Sequence, residues 1–196
     1  MDLKNIIRKV IKEEVNKKTL NEGLQIKDIS GASTYPKSPL KGNKYFILHH
    51  TAGLGTAEQV LSVLNKRKLG IHYIIDGLGD IYKTLSNGTK GAHIKSFYPS
   101  APKDMSNETA VGVEIVGKDN NDITLKQCKS ALLLVKSLGY SIGQIYGHGE
   151  VSWNKGSDEG LFCKNYMKKY WGTPVEKLPS EKETKLPEFT ITAKKK

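Results

Sequence analysis

The sequence contains few cysteines and no long apolar run. Its 196 residues include two cysteines, Cys128 and Cys163, and neither belongs to a C-x-x-C pair. Cysteines placed in this way do not make a disulfide framework, and they favour synthesis in a reducing compartment. Because no run of ~18 apolar residues occurs, we expect no membrane span. Residues 1–20 carry Lys and Glu throughout and lack the apolar region of a signal peptide. We therefore expect a protein made in the cytoplasm without a signal peptide.

Acidic residues are outnumbered by basic ones. The chain has 31 Lys and Arg against 20 Asp and Glu, which gives a formal net charge of +11. A charge of this sign favours an anionic partner, such as nucleic acid, a membrane surface or a charged cell wall. No nucleic-acid-binding motif accompanies the charge, so we expect no nucleic-acid partner.

The composition divides the chain into three parts. Residues 1–43 predict an amphipathic helix over about residues 2–18, followed by a linker rich in Gly, Ser and Pro. The apolar stripe of this helix is expected to dock on the domain, on a partner or on another copy of the chain. Residues 44–171 hold most of the apolar segments, and residues 172–196 form a basic tail that we expect to be flexible.

The central part alternates β-prone runs with segments of helical spacing, which predicts an α/β domain. Thr56 and Thr124 are candidate N-caps of two of the helices. A long polar loop over residues 90–108 is expected to be functional or disordered. The predicted strands cover residues 44–50, 71–76, 81–85, 110–116 and 144–147, and the predicted helices cover residues 56–68, 124–138 and 163–171.

Three of the five histidines stand at predicted strand ends. His49 and His50 end the first strand of the domain, and His148 follows the last. A catalytic zinc ion takes three protein ligands and keeps one position open for water. One of the paired histidines, His148 and one acidic or thiol group would supply such a set. The alternative is that these are ordinary surface or hydrogen-bonded histidines.

Five motifs in this part of the chain occur in a fixed order: ILHHTAG (47–53), GIHYIIDGLGDIYK (70–83), KGAH (90–93), AVGVEIVG (110–117) and GHGEVS (147–152). The series resembles the type-2 N-acetylmuramoyl-L-alanine amidases, which include phage lysozymes, peptidoglycan-recognition proteins and anhydro-muropeptide amidases. The resemblance covers about residues 44–171. It implies a central mixed β-sheet flanked by helices, with a zinc ion in a surface groove.

The resemblance also implies which residues bind zinc. Adjacent strand residues point to opposite faces, and the family pattern H-x-[ST]-A matches at His49, which leaves His50 to packing. The pattern G-H-x-[DE]-[VIL] matches at His148. The stretch SDEG resembles the family's T-D-P-G and favours Asp158 as the third ligand. Cys163 is the alternative, but it lies later than the pattern places it.

The remaining site residues follow from the same resemblance. Ile71 stands where the phage branch has a catalytic tyrosine, whereas GVEI matches the G-I-E-L strand of the Asp-ligand branch and makes Glu114 the general base. The alternative for Glu114 is a solvent-facing strand residue, although an unpaired carboxylate in an apolar run is costly. Lys155 would stabilise the oxyanion. His93 and Asn107 match positions beside the substrate groove and would contact the muropeptide.

The function implied by the resemblance is zinc-dependent cleavage of peptidoglycan at the amide between the lactyl group of N-acetylmuramic acid and L-alanine. The basic charge favours a phage or wall-directed lysin that acts on the bacterial cell wall after host lysis or from a virion. The alternative is a recognition module that binds peptidoglycan without cutting it.

Overall fold

The computed structural model describes residues 24–179 of the chain. The predicted N-terminal helix and the tail beyond residue 179 lie outside the described residues. No helix within residues 24–179 is both long enough and apolar enough to cross a membrane.

Six strands form one mixed sheet, in the order β1-β4-β3-β5-β2-β6. Neighbouring strands are parallel except β3 and β4, which form an antiparallel pair around the turn at residues 76–80. The strands β2, β3, β5 and β6 therefore run in one direction and end at the same edge. The strands are β1 (Ile26–Asp28), β2 (Tyr45–His50), β3 (Tyr73–Ile75), β4 (Ile81–Lys83), β5 (Ala110–Ile115) and β6 (Ile145–Gly147).

The main helices begin where the sequence predicts them. Thr56 and Thr124 each accept a hydrogen bond from the backbone of a glutamine three residues later, whose side chain bonds back to the threonine. This reciprocal capping satisfies backbone groups that the first turn would otherwise leave unpaired. The helices are α1 (Ala57–Lys66), α2 (Leu125–Ser137), α3 (His148–Val151) and α4 (Leu161–Tyr170), with short 3-10 turns at Ser30–Ala32, Ile142–Gln144 and Val175–Lys177.

The alternation of side chains along β2 and β5 separates the two faces of the sheet. Phe46 and Leu48 belong to the larger core, which includes residues of α2 and α4. On the opposite face, α1 packs over the sheet through Leu61 and Leu64. The loop over residues 90–108 covers the rest of that face, where Ile47 is buried. A gap between α1 and this loop leaves the ends of β2 and β5 accessible.

The two cysteines form a disulfide, so the expectation that they do not pair is wrong. Cys128 lies in α2 and Cys163 in α4, and their sulfurs are bonded across 35 residues of sequence. Both helices pack on the same face of the sheet, which brings their Cα atoms to 4.7 Å from each other. Cysteine usage therefore no longer supports a reducing compartment.

The strand β1 adds an edge to the sheet from the region that the sequence assigns to the N-terminal helix and linker. Ile26–Asp28 pairs with Ile81–Lys83 of β4, and Lys83 donates from Nζ to the carboxylate of Asp28 at 2.9 Å. This strand is short and exposed on both faces. Its sequence has no apolar alternation, and for this reason the pattern does not predict it.

Candidate metal centre and active-site cleft

Parallel pairing brings the chemically active side chains to one edge of the sheet. His49 in β2 pairs in register with Glu114 in β5, so the two side chains lie on the same face. On the other side of β2, the strand β6 ends at Gly147 and is followed directly by His148. Sites in sheets of this kind form outside the carboxyl ends of the strands.

Three buried side chains converge at this edge. His49, His148 and Glu159 each place one ligand atom within 4.8 Å of the others. Oε1 of Glu159 lies 3.0 Å from Nδ1 of His148 and 3.6 Å from Nδ1 of His49. None of the three side chains is more than 4% exposed, so water does not separate them.

A close backbone approach holds Glu159 in this position. The next residue, Gly160, has φ +83°, and a Cβ atom there would lie 2.2 Å from the carbonyl oxygen of Leu48. A side chain cannot occupy that space, so the chain passes directly against the end of β2 only because residue 160 is glycine. The carbonyl of Glu159 also accepts from the backbone of Gly149 at 3.1 Å.

The structure places Glu159, and not Asp158, beside the two histidines. One carboxylate oxygen of Asp158 accepts from Nδ2 of Asn120 at 3.0 Å, which directs this side chain to the loop after β5. Cys163 is bonded to Cys128 and has no thiolate to offer. No sequence pattern distinguishes Glu159 from Asp158, because both lie in a polar loop segment without periodicity.

His49 and Glu159 are in the ionisation states that a metal ion requires. Burial, together with the neighbouring His148, lowers the pKa of His49 to about 3, so the imidazole of His49 is neutral. Burial by itself would raise the pKa of Glu159. The hydrogen bond to His148 and the proximity of His49 outweigh this effect and hold the pKa well below the usual range. Zinc binds neutral imidazole nitrogen and ionised carboxylate oxygen, so the donor set fits a zinc ion with three protein ligands.

Glu114 has the opposite shift. Its pKa is raised to about 8, mainly by burial and also by the negative charge of Glu159, while the charges of Lys155 and Arg67 act in the other direction. Its Oε2 atom is buried and finds no hydrogen-bond partner within residues 24–179. A carboxyl group with a pKa near neutrality can both accept and return a proton.

Lys155 lies at the open side of the same cluster. Its Nζ atom is 3.5 Å from Oε2 of Glu159, and its side chain is 38% exposed. The positive charge of Lys155 is therefore close to the Glu159 carboxylate and still reaches the cleft. Ile71, which also lines the cleft, has no proton to donate.

The cleft consists of two connected grooves. The larger has a volume of about 320 Å³ and is lined by His49, His148 and Lys155 among others. The smaller, of about 270 Å³, lies against α1 and the loop after β2. Glu114 and Arg67 line both grooves, so the carboxyl group of Glu114 stands where they meet. None of the five motifs includes Arg67, which belongs to a basic run at the end of α1.

His93 and Asn107 also lie together, but most of their polar atoms are engaged within the protein. Nδ1 of His93 is 3.0 Å from Nε2 of His49. The side-chain oxygen of Asn107 accepts from the backbone of both His93 and Ile94 at 3.0 Å, and its Nδ2 donates to the carbonyl of Ile94 at 2.7 Å. The structure thus joins both residues to the histidine cluster.

Comparison with known proteins identifies a matching family. A family model described as N-acetylmuramoyl-L-alanine amidase matches residues 39–160. No curated protein sequence matches the chain.

Several solved structures share the fold. The N-acetylmuramoyl-L-alanine amidase LysC from Clostridium intestinale URNW is 23% identical, with a TM-score of 0.53 over 66% of this chain and 85% of that one. PGRP-SA from Apis mellifera is 18% identical, with a TM-score of 0.52 over 74% and 96% of the two chains. The hydrolase AmiA from Staphylococcus aureus is 15% identical, with a TM-score of 0.51 over 82% and 94%. At these identities the likeness shows the mixed sheet flanked by helices.

Proposed function

Because the chain belongs to the N-acetylmuramoyl-L-alanine amidase family, we propose that it hydrolyses the amide between the lactyl group of N-acetylmuramic acid and L-alanine in peptidoglycan. The observation that carries this proposal is the buried group of His49, His148 and Glu159 beside the unpartnered carboxyl oxygen of Glu114. A buried carboxyl group with a raised pKa beside such a group is typical of an active site, which favours hydrolysis over binding alone.

His49, His148 and Glu159 would hold a zinc ion. When bound there, zinc supplies a positive charge that polarises the scissile carbonyl and makes a neighbouring water more acidic. Glu159 takes the place that the sequence pattern gives to Asp158, because its carboxylate is the one that reaches both histidines.

Glu114 would act as general base and then as general acid. It would first remove a proton from the attacking water and then return a proton to the departing amine of L-alanine. Both transfers need a group whose pKa lies near the working pH, and the pKa of about 8 meets this condition. A positive metal ion nearby would lower the pKa of Glu114 toward neutrality.

Lys155 would stabilise the negative charge that develops on the carbonyl oxygen. Its ammonium group lies at the mouth of the larger groove, close to the metal-binding carboxylate. A donor aimed at this oxygen lowers the barrier because the charge is larger in the transition state than in the substrate.

The two grooves would accommodate the substrate on either side of Glu114. The scissile amide would lie where the grooves meet, with sugar in one groove and peptide in the other. Arg67 lines both grooves, and Lys95 lines the larger one. These two cations would bind the carboxylates of a stem peptide. Part of the basic charge of the chain would then serve substrate binding.

The proposal is tested on purified protein by metal analysis and by digestion of purified sacculi. We expect about one zinc per chain and new amino termini that are alanine only. Chelation should stop the release of alanine amino groups, and added zinc should restore it. The variant His148→Ala should lose both zinc and activity, whereas His50→Ala, on the opposite face of the sheet, should keep both.

Two results would refute the amidase proposal. Absence of zinc from the protein, even after incubation with the metal, would remove the metal centre. Binding to sacculi without any new alanine amino terminus would show the alternative, a recognition module that holds peptidoglycan without cutting it. If the protein is active, we propose that it acts on the cell wall as a lysin. Addition of the purified protein to bacterial cells from outside, with lysis as the readout, tests this.

A further inference from the structure

The ring of His93 makes two polar contacts, one from each nitrogen. Its Nε2 atom lies 3.3 Å from the carbonyl oxygen of Ala110, and its Nδ1 atom lies 3.0 Å from Nε2 of His49. A carbonyl oxygen can only accept a hydrogen bond, so Nε2 of His93 carries the proton. In a neutral ring the other nitrogen is then an acceptor, so His49 must donate to it from Nε2.

This chain of hydrogen bonds determines the tautomer of His49. With its proton on Nε2, His49 has its lone pair on Nδ1, which is the atom that faces Glu159. A metal ion needs that lone pair. Without an acceptor at Nε2, the Glu159 carboxylate at 3.6 Å would favour a proton on Nδ1, where it would block metal binding.

The backbone around His93 is held so that its ring keeps this position. Asn107 uses its amide oxygen and nitrogen on the backbone of His93 and Ile94. Two glycines leave room for the ring itself. A Cβ atom at Gly112 would lie 2.7 Å from Nδ1 of His93, and a Cβ atom at Gly91 would lie 2.8 Å from its Cδ2. The ring therefore fits between two backbone segments with little freedom to turn.

We propose that His93, held in place by Asn107, is a positioning residue that keeps the proton of His49 on Nε2 and so presents Nδ1 to the metal ion. This inference rests on the proposed zinc amidase function. It gives His93 and Asn107 a different role from the substrate contacts that the family resemblance implies. Both nitrogens of His93 and both polar atoms of the Asn107 side chain are engaged within the protein, which leaves only the second N–H of Asn107 for a muropeptide.

The test compares His93→Asn with His93→Leu. The Oδ1 atom of asparagine occupies the position of Nδ1 and can accept from His49, whereas leucine offers no acceptor. Both variants lose the bond to Ala110, so they differ mainly in the hydrogen bond to His49. Zinc affinity is measured by competition with a chelator. We expect His93→Asn to stay within about threefold of the wild type and His93→Leu to bind about ten to a hundred times more weakly.

A second measurement addresses the tautomer directly. Long-range proton–nitrogen NMR spectra of histidine-labelled, zinc-free protein distinguish a proton on Nε2 from one on Nδ1, and the His49→Asn variant identifies the signals. We expect the Nε2 proton form for His49 in the wild type and in His93→Asn, with loss of this preference in His93→Leu. The wild-type spectrum needs no variant, so it decides the question even where His93→Leu fails to fold.

The outcomes separate this inference from the proposed function. A wild-type protein that binds no zinc but shows the expected tautomers would refute the amidase and the presentation of Nδ1 to a metal ion, and would support only the control of the His49 tautomer by His93. A proton on Nδ1 of His49 in the wild type would overturn the inference while leaving the amidase intact. Equal zinc affinity in the two His93 variants, whether both high or both low, would also overturn it, because the acceptor would then make no difference.

Discussion

Replacing Glu114 with glutamine should abolish hydrolysis and at the same time stabilise the zinc-free protein. In the folded chain the pKa of Glu114 is raised to about 8 from its ordinary value of 4.5, with burial as the main cause. Between these two pH values the folded state keeps a proton that the unfolded state has lost. Stability of the wild type therefore falls as the pH rises through this window. Glutamine does not titrate, so the stability of the variant does not fall in this way as the pH rises.

The size of the effect follows from the shift in pKa. The interval from the ordinary pKa of 4.5 to a measurement at about pH 7 is about 2.5 pH units. Each unit is worth about 1.4 kcal/mol, which sets an upper limit of about 3.5 kcal/mol. Glu114 is partly exposed, and solvent screening reduces the figure, so we expect about 1 to 3 kcal/mol near pH 7. For a chain of this length that corresponds to a rise in Tm of several degrees. At about pH 4 the two proteins should be equally stable.

Thermal or urea unfolding across this pH range, in the presence of a chelator, measures the difference. Zinc is removed because its positive charge would lower the pKa of Glu114 and narrow the window. Glu108→Gln is a control for which stability should change in the opposite direction. Lys41 holds the pKa of Glu108 below its ordinary value, so replacing Glu108 should destabilise the folded protein slightly near pH 7. A stability difference for Glu114→Gln that does not change with pH would refute the reasoning, and so would retained amidase activity.

Three further predictions concern the metal centre, the oxyanion and the disulfide. Glu159→Gln should weaken zinc binding more than about a hundredfold, while the zinc affinity of Asp158→Asn should stay within about threefold of the wild type. Competition with a chelator measures both affinities. The reverse order of the two effects would restore Asp158 as the ligand. Lys155→Met should lower kcat about a hundredfold with zinc still bound, as measured by release of alanine amino groups. An unchanged kcat would show that Lys155 does not stabilise the oxyanion. Reduction of the Cys128–Cys163 disulfide should lower the free energy of unfolding by about 3 to 4 kcal/mol, from loss of a closed loop with 35 residues of separation. Identical urea curves with and without reductant would contradict this value.

Local sequence patterns determined much of the fold. The strands that carry His49 and Glu114 are short apolar runs, and such runs form buried strands wherever they meet a core. The capping threonines mark helix starts through contacts within four residues, which need no tertiary information. The paired histidines and His148 could be noticed because they stand at strand ends, whereas the choice of His49 over His50 and the role of Glu114 came from the family resemblance.

Only the tertiary structure decided between Asp158 and Glu159. The loop over residues 152–160 has no periodicity that would orient its side chains, and adjacent residues in a loop point in unrelated directions. Its course depends on Gly160, which lets the backbone pass against Leu48 at the end of β2. This packing turns Glu159 toward the histidines and leaves Asp158 with Asn120.

The disulfide and the contacts of His93 depend on tertiary structure for the same reason. Cys128 and Cys163 meet because two helices distant in sequence pack on one face of the sheet. His93 reaches His49 because Asn107, fourteen residues further along, fixes the backbone of the long loop. The sequence by itself therefore determined the elements and the chemistry they carry. Packing between distant segments decided which carboxylate lies beside the histidines, that the two cysteines are bonded, and which loop histidine contacts His49. Such contacts depend on where each chain segment lies and leave no periodic pattern in the sequence.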